Sequence, residues 1–384
     1  MAIADIDTSF YDDYLVLKPE EGSFGDILRL LLSNKVENNR FLECPKGTEL
    51  TGLKRRWLLC ISLAVQVFLL RIKNPMKRFG SAVEWPYVCL LSWRVVRPEP
   101  GSASYRSFIG YLDERLELDK DIKHGDWRYV SALAAMTAKL AYENQAFIER
   151  TVRDVWKMDF VEYYDCWNDF LEQSTTQAFM FIDNSTAPGL IVISFRGTES
   201  FDADDWVTDF DFSFLELLGM GRVHAGFMKA LGLQKRNGWP KEIGEGGNRP
   251  KFAYYAIRER LRDVLEKNEN AKFMVTGHSL GGALAVLFPA ILAVHDEVRM
   301  LERMEGLYTF GQPRVGDENF GQFLMDHFNK HGVKYFRFVY CNDIVPRVPY
   351  DDETLWFKHF GTCLYYNSVY KGKVILSSSL SISL

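Results

Sequence analysis

The residues of this chain best suited to chemistry are Gly277-His278-Ser279-Leu280-Gly281. A serine between two glycines at this spacing suits a nucleophile elbow, a sharp strand-to-helix turn that leaves the hydroxyl exposed above a sheet. The flanks agree. Lys272 to Thr276 reads as a buried strand, and Gly282, Ala283 and Ala285 keep the following helix thin where it packs on that strand. Gly277 and Gly281 lack Cβ atoms, so the backbones beside the turn can approach closely. The five-residue pattern alone is common by chance and fits a tight turn with a solvated serine equally well. Apolar strand before and small-residue helix after make Ser279 the expected nucleophile.

Other elements must position that serine. Leu190 to Phe195 is almost wholly apolar, as a strand covered on both faces would be. Thr176 to Ile182 reads as a strand before it, and Trp127 to Tyr142 and Ala146 to Leu171 read as helices. Lys251 to Glu266 is a long helix leading into the elbow strand. After the elbow, Gly306 to Phe310, Glu318 to Asn329 and Lys334 to Tyr340 alternate as strand, helix and strand. This alternation points to an α/β sheet, largely parallel in its centre. Residues 234–250 form a polar, Gly-rich loop, and Pro98-Glu99-Pro100-Gly101 marks a boundary.

Before that boundary, Phe24 to Val36 reads as a short amphipathic helix docked on the main domain. Trp57 to Leu70 has fourteen residues without a charge, short of the about 20 that a spanning helix needs. Lys54, Arg55 and Arg56 precede it, and Arg71, Lys73, Lys77 and Arg78 follow. Basic flanks on both sides suit a segment lying in a lipid interface, with cations at anionic headgroups. A second apolar patch, Trp85 to Trp93, would form a shallow hairpin with it; the competing expectation is a helical layer on the catalytic domain.

Four pieces stand in order around the elbow: Phe195-Arg196-Gly197-Thr198, Val223-His224-Ala225-Gly226-Phe227, Gly277 to Gly282, and Asn342-Asp343-Ile344-Val345-Pro346. With Thr309-Phe310-Gly311-Gln312-Pro313-Arg314-Val315-Gly316, they resemble the class 3 lipases, an α/β-hydrolase family of triacylglycerol lipases, over about residues 175–350. The N-terminal part resembles the plant oil-body branch. The resemblance implies an α/β-hydrolase-type fold, a mostly parallel central sheet flanked by helices, with an N-terminal helical, lipid-associating extension over 1–100 and a catalytic domain over 101–370 whose C-terminal part is incomplete; composition sets off an atypical low-complexity tail over 371–384. Its reaction is hydrolysis of a carboxylic ester, most simply triacylglycerol at a lipid surface, through an acyl-serine.

Roles follow from that chemistry. The tetrahedral intermediate carries negative charge on the former carbonyl oxygen, and one fixed N–H donor there is worth roughly 3 to 4 kcal/mol of barrier. One donor is the backbone N–H of Leu280, just after the nucleophile. By resemblance the other is Thr198. Asp343 would orient the catalytic imidazole and stabilise its cation; its structural alternative is an Asx-type turn before Pro346. Asp317 is the next candidate, but it sits where a helix N-cap is expected. Glu199 to Phe214 falls where the family has its lid, with a solvated acidic helix as the alternative.

The base is the gap. In this fold the triad runs Ser, Asp, His. Of seven histidines only His359 follows Asp343, by sixteen residues, within the apolar, strand-like Leu355 to Phe360. In the family the catalytic histidine comes much later, so a structural role for His359 is favoured over that of triad base. His278 is expected to point away from Ser279, and His224 precedes the serine. The last residues, Val374 to Leu384, are low-complexity Ser, Leu and Ile and read as an altered end. The expectation is a lipase lacking its base.

Composition bounds the alternatives. A net charge of −5 leaves no footprint for nucleic acid. Six scattered cysteines with no metal-ligand spacing suit reduced thiols in an intracellular, lipid-droplet- or membrane-associated protein, or failing that a cytoplasmic one. No metal or organic cofactor is implied, and nothing in the sequence specifies an oligomeric state. The rival functions are a phospholipase or galactolipase on the same fold, and a lipid-surface binding protein with a dead triad.

Overall fold

The structure, a computed structural model, describes residues 11–22, 24–32, 40–45, 48, 52–92, 98–126, 128–198, 211–217, 219–235, 237–243, 250–349 and 356–375. In chain order its strands are β1 (Tyr11–Leu17), β2 (Leu42–Glu43), β3 (Asp159–Asn168), β4 (Gln173–Asp183), β5 (Leu190–Phe195), β6 (Phe214–Leu217), β7 (Gly221–His224), β8 (Lys272–His278), β9 (Met304–Phe310), β10 (Lys334–Tyr340), β11 (Thr362–Tyr366) and β12 (Gly372–Ile375). The helices are α1 (Phe24–Leu32), α2 (Leu53–Ser92), α3 (Phe108–Leu112), α4 (Tyr129–Leu140), α5 (Gln145–Arg150), α6 (Ala225–Leu231), α7 (Ala253–Lys267), α8 (Leu280–Val294), α9 (Val298–Leu301) and α10 (Glu318–His331).

Eight strands form the central sheet in the order β12-β11-β10-β9-β8-β5-β4-β3. From β5 to β11 every neighbour is parallel, while β3, β4 and β12 join antiparallel at the edges. This is the expected α/β-hydrolase arrangement. Every residue of β5 is buried, because helices cover both faces of the sheet at its centre. One face packs α4 and α5 against Met274, Val192 and Tyr308; the other packs α7, α8 and α10 around Val275, Ile193 and Leu307. Helix α8 is buried along nearly its whole length, which explains why it is apolar all round rather than striped.

Two elements of the catalytic domain differ from the sequence reading. Ala146 to Leu171 is not one helix: α5 ends in a π-turn over Thr151–Val155, and β3 starts at Asp159. Phe160, Val161, Tyr163, Tyr164 and Trp167 favour a pleated, half-buried surface, and pairing with β4 decides in favour of strand. Leu355 to Phe360 is not a strand where it is described, from Trp356 on; it touches its neighbour at a single bridge between Gly316 and Lys358. The expected amphipathic helix Phe24 to Val36 is described as far as Leu32. The expected lid lies outside the described residues up to residue 210, and residues 376–384 of the tail do so as well.

The apolar runs Trp57 to Leu70 and Trp85 to Trp93 do not form a hairpin. A single 40-residue helix, α2, carries the chain continuously from Leu53 to Ser92. The N-terminal segment is also woven into a second sheet, ordered β2-β1-β6-β7, in which β1 pairs antiparallel with β6. Tyr14 and Val16 join the main core, whereas Leu15 and Leu17 pack with Leu30, Leu59 and Leu63 of α1 and α2.

Beneath this second sheet lies a buried polar cluster. Leu17 N–H donates to Ser213 Oγ at 2.8 Å, and Phe212 N–H donates to Ser62 Oγ of α2 at 3.2 Å. Ser213 donates through its hydroxyl to Asp211, and Asp211 pairs with Lys229 at 2.9 Å. Burial alone would raise the Asp211 pKa, but Lys229, His224 and the Ser213 hydroxyl outweigh it and hold the carboxyl below the usual carboxylate value. His224 is fully buried, stacks on Phe227 and caps α6 by accepting from the Phe227 N–H at 3.3 Å through Nδ1.

Burial lowers the His224 pKa to about 4, with Asp211 opposing. The unfolded imidazole ionises near 6.5, so between these values the unfolded chain binds more protons than the folded one. Stability from this group is therefore complete above about pH 6.5 and falls by about 3 kcal/mol as pH drops to 4. His224→Asn keeps an acceptor for the helix cap but does not titrate, and its unfolding free energy should lose that much less between pH 6.5 and 4. Denaturant titrations at both pH values check this; parallel losses in the two proteins would rule it out.

Candidate active site

Strand β8 ends at His278, and the chain turns at once into α8. Ser279, between them, has φ 55° and ψ −128°. A positive φ in a residue with a side chain costs of order 1–3 kcal/mol and persists only where its surroundings over-determine it. Here they do. Ser279 N–H donates to the Phe310 carbonyl at the end of β9 at 2.9 Å, and the Ser279 carbonyl accepts from Gly282 N–H at 2.9 Å.

The glycines explain how strand and helix come so close. A Cβ on Gly277 would stand 2.2 Å from the Gly281 carbonyl oxygen, and one on Gly281 would stand 2.3 Å from the Phe195 carbonyl oxygen. Both neighbours are backbone, so no side chain fits at either position. The start of α8 is thereby pressed onto the end of β5, where Arg196, Gly197 and Thr198 follow. Leu280 is the first residue of α8, and the first N–H groups of a helix have no intrahelical acceptor. The two expected oxyanion donors thus sit on chain ends that the glycine contacts bring together.

Asp343 enters from β10. Its N–H donates to the Tyr340 carbonyl at 3.0 Å, and its Oδ1 accepts from Val345 N–H at 3.0 Å, so the Asx-type turn is present as well. Its Oδ2 points to Gly311, which follows β9 with φ +56°: a Cβ there would lie 2.7 Å from Asp343 Oδ2 and 3.5 Å from His278 Nε2. Gly311 therefore leaves a gap that the acid and an imidazole both border. Asp317, the alternative acid, caps α10 by accepting from Phe320 N–H at 2.9 Å.

The histidines are dispersed. His124 meets Ser185 and Tyr129, His295 bridges Tyr254 and the Trp239 carbonyl, and His327 bonds the Phe323 carbonyl within α10. His331 ends α10. His359 donates through Nε2 to the Pro346 carbonyl at 2.6 Å, and its Nδ1 is buried with no hydrogen-bond partner among the described residues. Burial and then Arg337 hold its pKa well below the ordinary value. Among the described residues nothing hydrogen-bonds the Ser279 hydroxyl.

The imidazole that shares the Gly311 gap with Asp343 is that of His278. Its Nδ1 lies 2.7 Å from the Tyr142 hydroxyl, and the two rings meet edge-on at 5.8 Å. The ring opens to solvent on one side yet is hemmed in by protein, and that desolvation lowers its pKa while Asp343 pulls it up. Sequence reasoning passed over Tyr142 as the end of a helix, and it carried no signal of this contact across 136 residues. Gly311 lay within a family-like segment, but its positive φ beside the acid was not foreseen.

Among the described residues no group of three or more His, Cys, Asp or Glu side chains is placed to hold a metal ion. A cavity of about 340 Å³ lies between Leu17, Gln66, Phe170 and Lys229, and none of Ser279, Leu280, Thr198 or Asp343 lines it.

Known proteins resemble this chain over most of its length. The family model for lipase (class 3) matches residues 192–353. Triacylglycerol lipase OBL1 of Arabidopsis thaliana is 39% identical, with 93% of this chain and 80% of its own length aligned. The protein of the same name from Ricinus communis is 35% identical, over 94% of this chain and 80% of its own length. Among solved structures, lipase II from Rhizopus niveus shares 23% identity over 62% of this chain and 79% of that one, with a TM-score of 0.44.

Gly281→Ala should force the Phe195–Arg196 backbone away from α8. The expected results are a loss of about 1–3 kcal/mol of stability, as for other overpacked sites, and slower reaction of Ser279 with a fluorophosphonate. Urea unfolding and labelling rates measure both. An alanine that leaves the two unchanged would mean that strand and helix do not meet as described.

Proposed function

The chain belongs to the class 3 lipase family, in its oil-body branch, and we propose that it hydrolyses lipid carboxylic esters through an acyl-serine on Ser279. The observation that supports this is the strained Ser279 turn, with the glycine contacts that press the start of α8, where Leu280 lies, onto the end of β5, just before Thr198. The Ser279 hydroxyl attacks the ester carbonyl carbon, the carbonyl π pair moves to oxygen, which the N–H groups of Leu280 and Thr198 receive, and the hydroxyl proton passes through solvent to the departing alkoxide oxygen. Collapse of that intermediate expels the alcohol and leaves the acyl-enzyme, which water then hydrolyses. Asp343 keeps one carboxylate oxygen open toward the Gly311 gap, where its negative charge would stabilise positive charge on a base brought there. No metal or organic cofactor enters the mechanism.

The base is the weak member. His359 is turned to the Pro346 carbonyl, so among the described residues no base meets Ser279, and the oxyanion donors and binding alone are expected to supply roughly 10³–10⁴ above the uncatalysed reaction. A fluorophosphonate probe tests the nucleophile. Labelling should map to Ser279, vanish in Ser279→Ala, and survive in His359→Ala. Labelling that persists in Ser279→Ala, or turnover that depends on His359, would overturn the assignment.

The substrate proposed is triacylglycerol, for which the plant relatives are named, or a related ester, met at a lipid surface. Helix α2 supports this. Leu53, Trp57, Ile61 and Phe68 are about half exposed or more and share one face, with the exposed cations Lys54, Arg71 and Arg78 on the same side. Its opposite side, Leu59, Cys60 and Leu63, is buried against α1 and β1. The stretch Leu53–Met76 is long and apolar enough to cross a bilayer, but a helix with one face committed to protein and one fringed by cations fits the surface of a droplet or membrane better. Residues 1–100 then serve as the lipid-associating part of an intracellular, droplet- or membrane-bound enzyme. Trp57→Asp and Phe68→Asp should each weaken flotation with triacylglycerol droplets coated in anionic phospholipid by about ten- to a hundredfold, the loss of roughly 1.5–3 kcal/mol of side-chain burial. Flotation equal to the unsubstituted chain would remove α2 as the docking element.

A further inference from the structure

We infer that Tyr142 and His278 form a positioning pair that fixes the Gly197–Thr198 backbone against the elbow and so sets the alignment of the oxyanion donors. This rests on the ester-hydrolase reading above and adds to it a pair of residues outside the nucleophile, the acid and the donors themselves.

Three contacts carry the inference. The Tyr142 hydroxyl is within 2.7 Å of His278 Nδ1. The same hydroxyl lies 2.1 Å, and the His278 carbonyl oxygen 2.5 Å, from where a Cβ on Gly197 would stand, so the pair closes on the residue just before Thr198 from two sides. On its far edge, His278 Nε2 borders the Gly311 gap that Asp343 Oδ2 also borders. Tyr142 is almost fully buried at the end of α4, a rigid support, while His278 ends β8 next to the nucleophile.

Chemistry orders the protons along this line. No hydrogen bond joins His278 to Asp343 among the described residues, but the carboxylate charge across the Gly311 gap favours the proton on the facing nitrogen, Nε2. Nδ1 is then an acceptor, and the phenol of Tyr142 donates to it. Hydroxyl, imidazole and carboxylate thus run from the oxyanion strand to the acid. Loss of the hydroxyl leaves Gly197 without its neighbour and His278 free to rotate. Displacing a donor by about 1 Å can cost on the order of a hundredfold in rate.

The test uses the full chain and the rate of fluorophosphonate labelling of Ser279, resolved into the inactivation rate constant and the inhibitor constant. The phosphoryl oxygen of that reagent needs the same donors as an ester. Tyr142→Phe and His278→Leu should each lower the inactivation rate constant by about ten- to a hundredfold while leaving the inhibitor constant and unfolding midpoint near their original values. His278→Asn places an amide oxygen near the Nδ1 position and should restore most of the rate. The double variant Tyr142→Phe/His278→Leu should be no slower than either single one, because the two act as a unit.

Original rates in either single variant, or losses that multiply in the double variant, would overturn the pairing. Should Tyr142→Phe fail to fold, the contrast between His278→Leu and His278→Asn decides alone, and equal rates for those two count against the pair. A chain in which Ser279 is not labelled at all, with Ser279→Ala indistinguishable from it, sinks the hydrolase reading itself, an outcome distinct from labelling that ignores Tyr142.

Discussion

The structure hinges on one contact, the meeting of two backbones where β8 turns into α8. Gly277 faces Gly281 and Gly281 faces Phe195, each too close for any side chain. Because backbone meets backbone there, the start of α8 and the end of β5 are held in fixed relation, and with them Leu280 and Thr198. The strain at Ser279 is stored by the same contact, since relaxing its φ of 55° would lift the helix off the strand. An α8 buried along its length and a β5 buried at every residue make that relaxation costly.

Around this point the polar groups divide by what surrounds them. Buried ones that serve the fold, such as Asp211 with Lys229 and Ser213, satisfy one another directly. His224 is kept neutral by burial and used as a helix cap. Near the elbow the groups are instead half open. Asp343 commits one oxygen to its own turn and leaves the other facing the Gly311 gap, and His278 commits one nitrogen to Tyr142 and leaves the other facing the same gap. Groups with one partner fixed and one direction open are what orientation of a reacting atom requires.

Legibility in the sequence followed the range of the interactions. The elbow, the strand Leu190 to Phe195 and the alternation from β9 to β10 were readable because their signals are local: glycine spacing, an unbroken apolar run, a change of period. Asp343 and Thr198 were found through motif resemblance, and the structure groups their chain segments with the elbow. The second sheet was not readable, since β2 has two residues and β1 pairs with β6 across some 200 positions. Strand β3 was hidden by helix-compatible residues around it until its partner β4 was in place. Tyr142 was invisible for the same reason as β1, since its meaning lies entirely in a distant contact.

Helix α2 shows how hydropathy and hydrogen bonding must be weighed together. Its apolar run reads as a candidate for hydrocarbon, yet Ser62 and Gln66 lie within it and are buried. In lipid their polar atoms would be costly to leave unpaired. Here Gln66 donates to Ser62 Oγ at 3.0 Å, and the same oxygen accepts from Phe212 N–H at the root of β6. Those two residues mark the face that belongs to protein, and Leu53, Trp57, Ile61 and Phe68 mark the face that does not. The same helix therefore joins a free apolar stripe to the strand that follows the expected lid, through a hydrogen bond whose two ends are 150 residues apart in the chain. A helix pinned in this way has a fixed rotation about its axis, so a lipid surface that meets the stripe meets the catalytic sheet in one orientation.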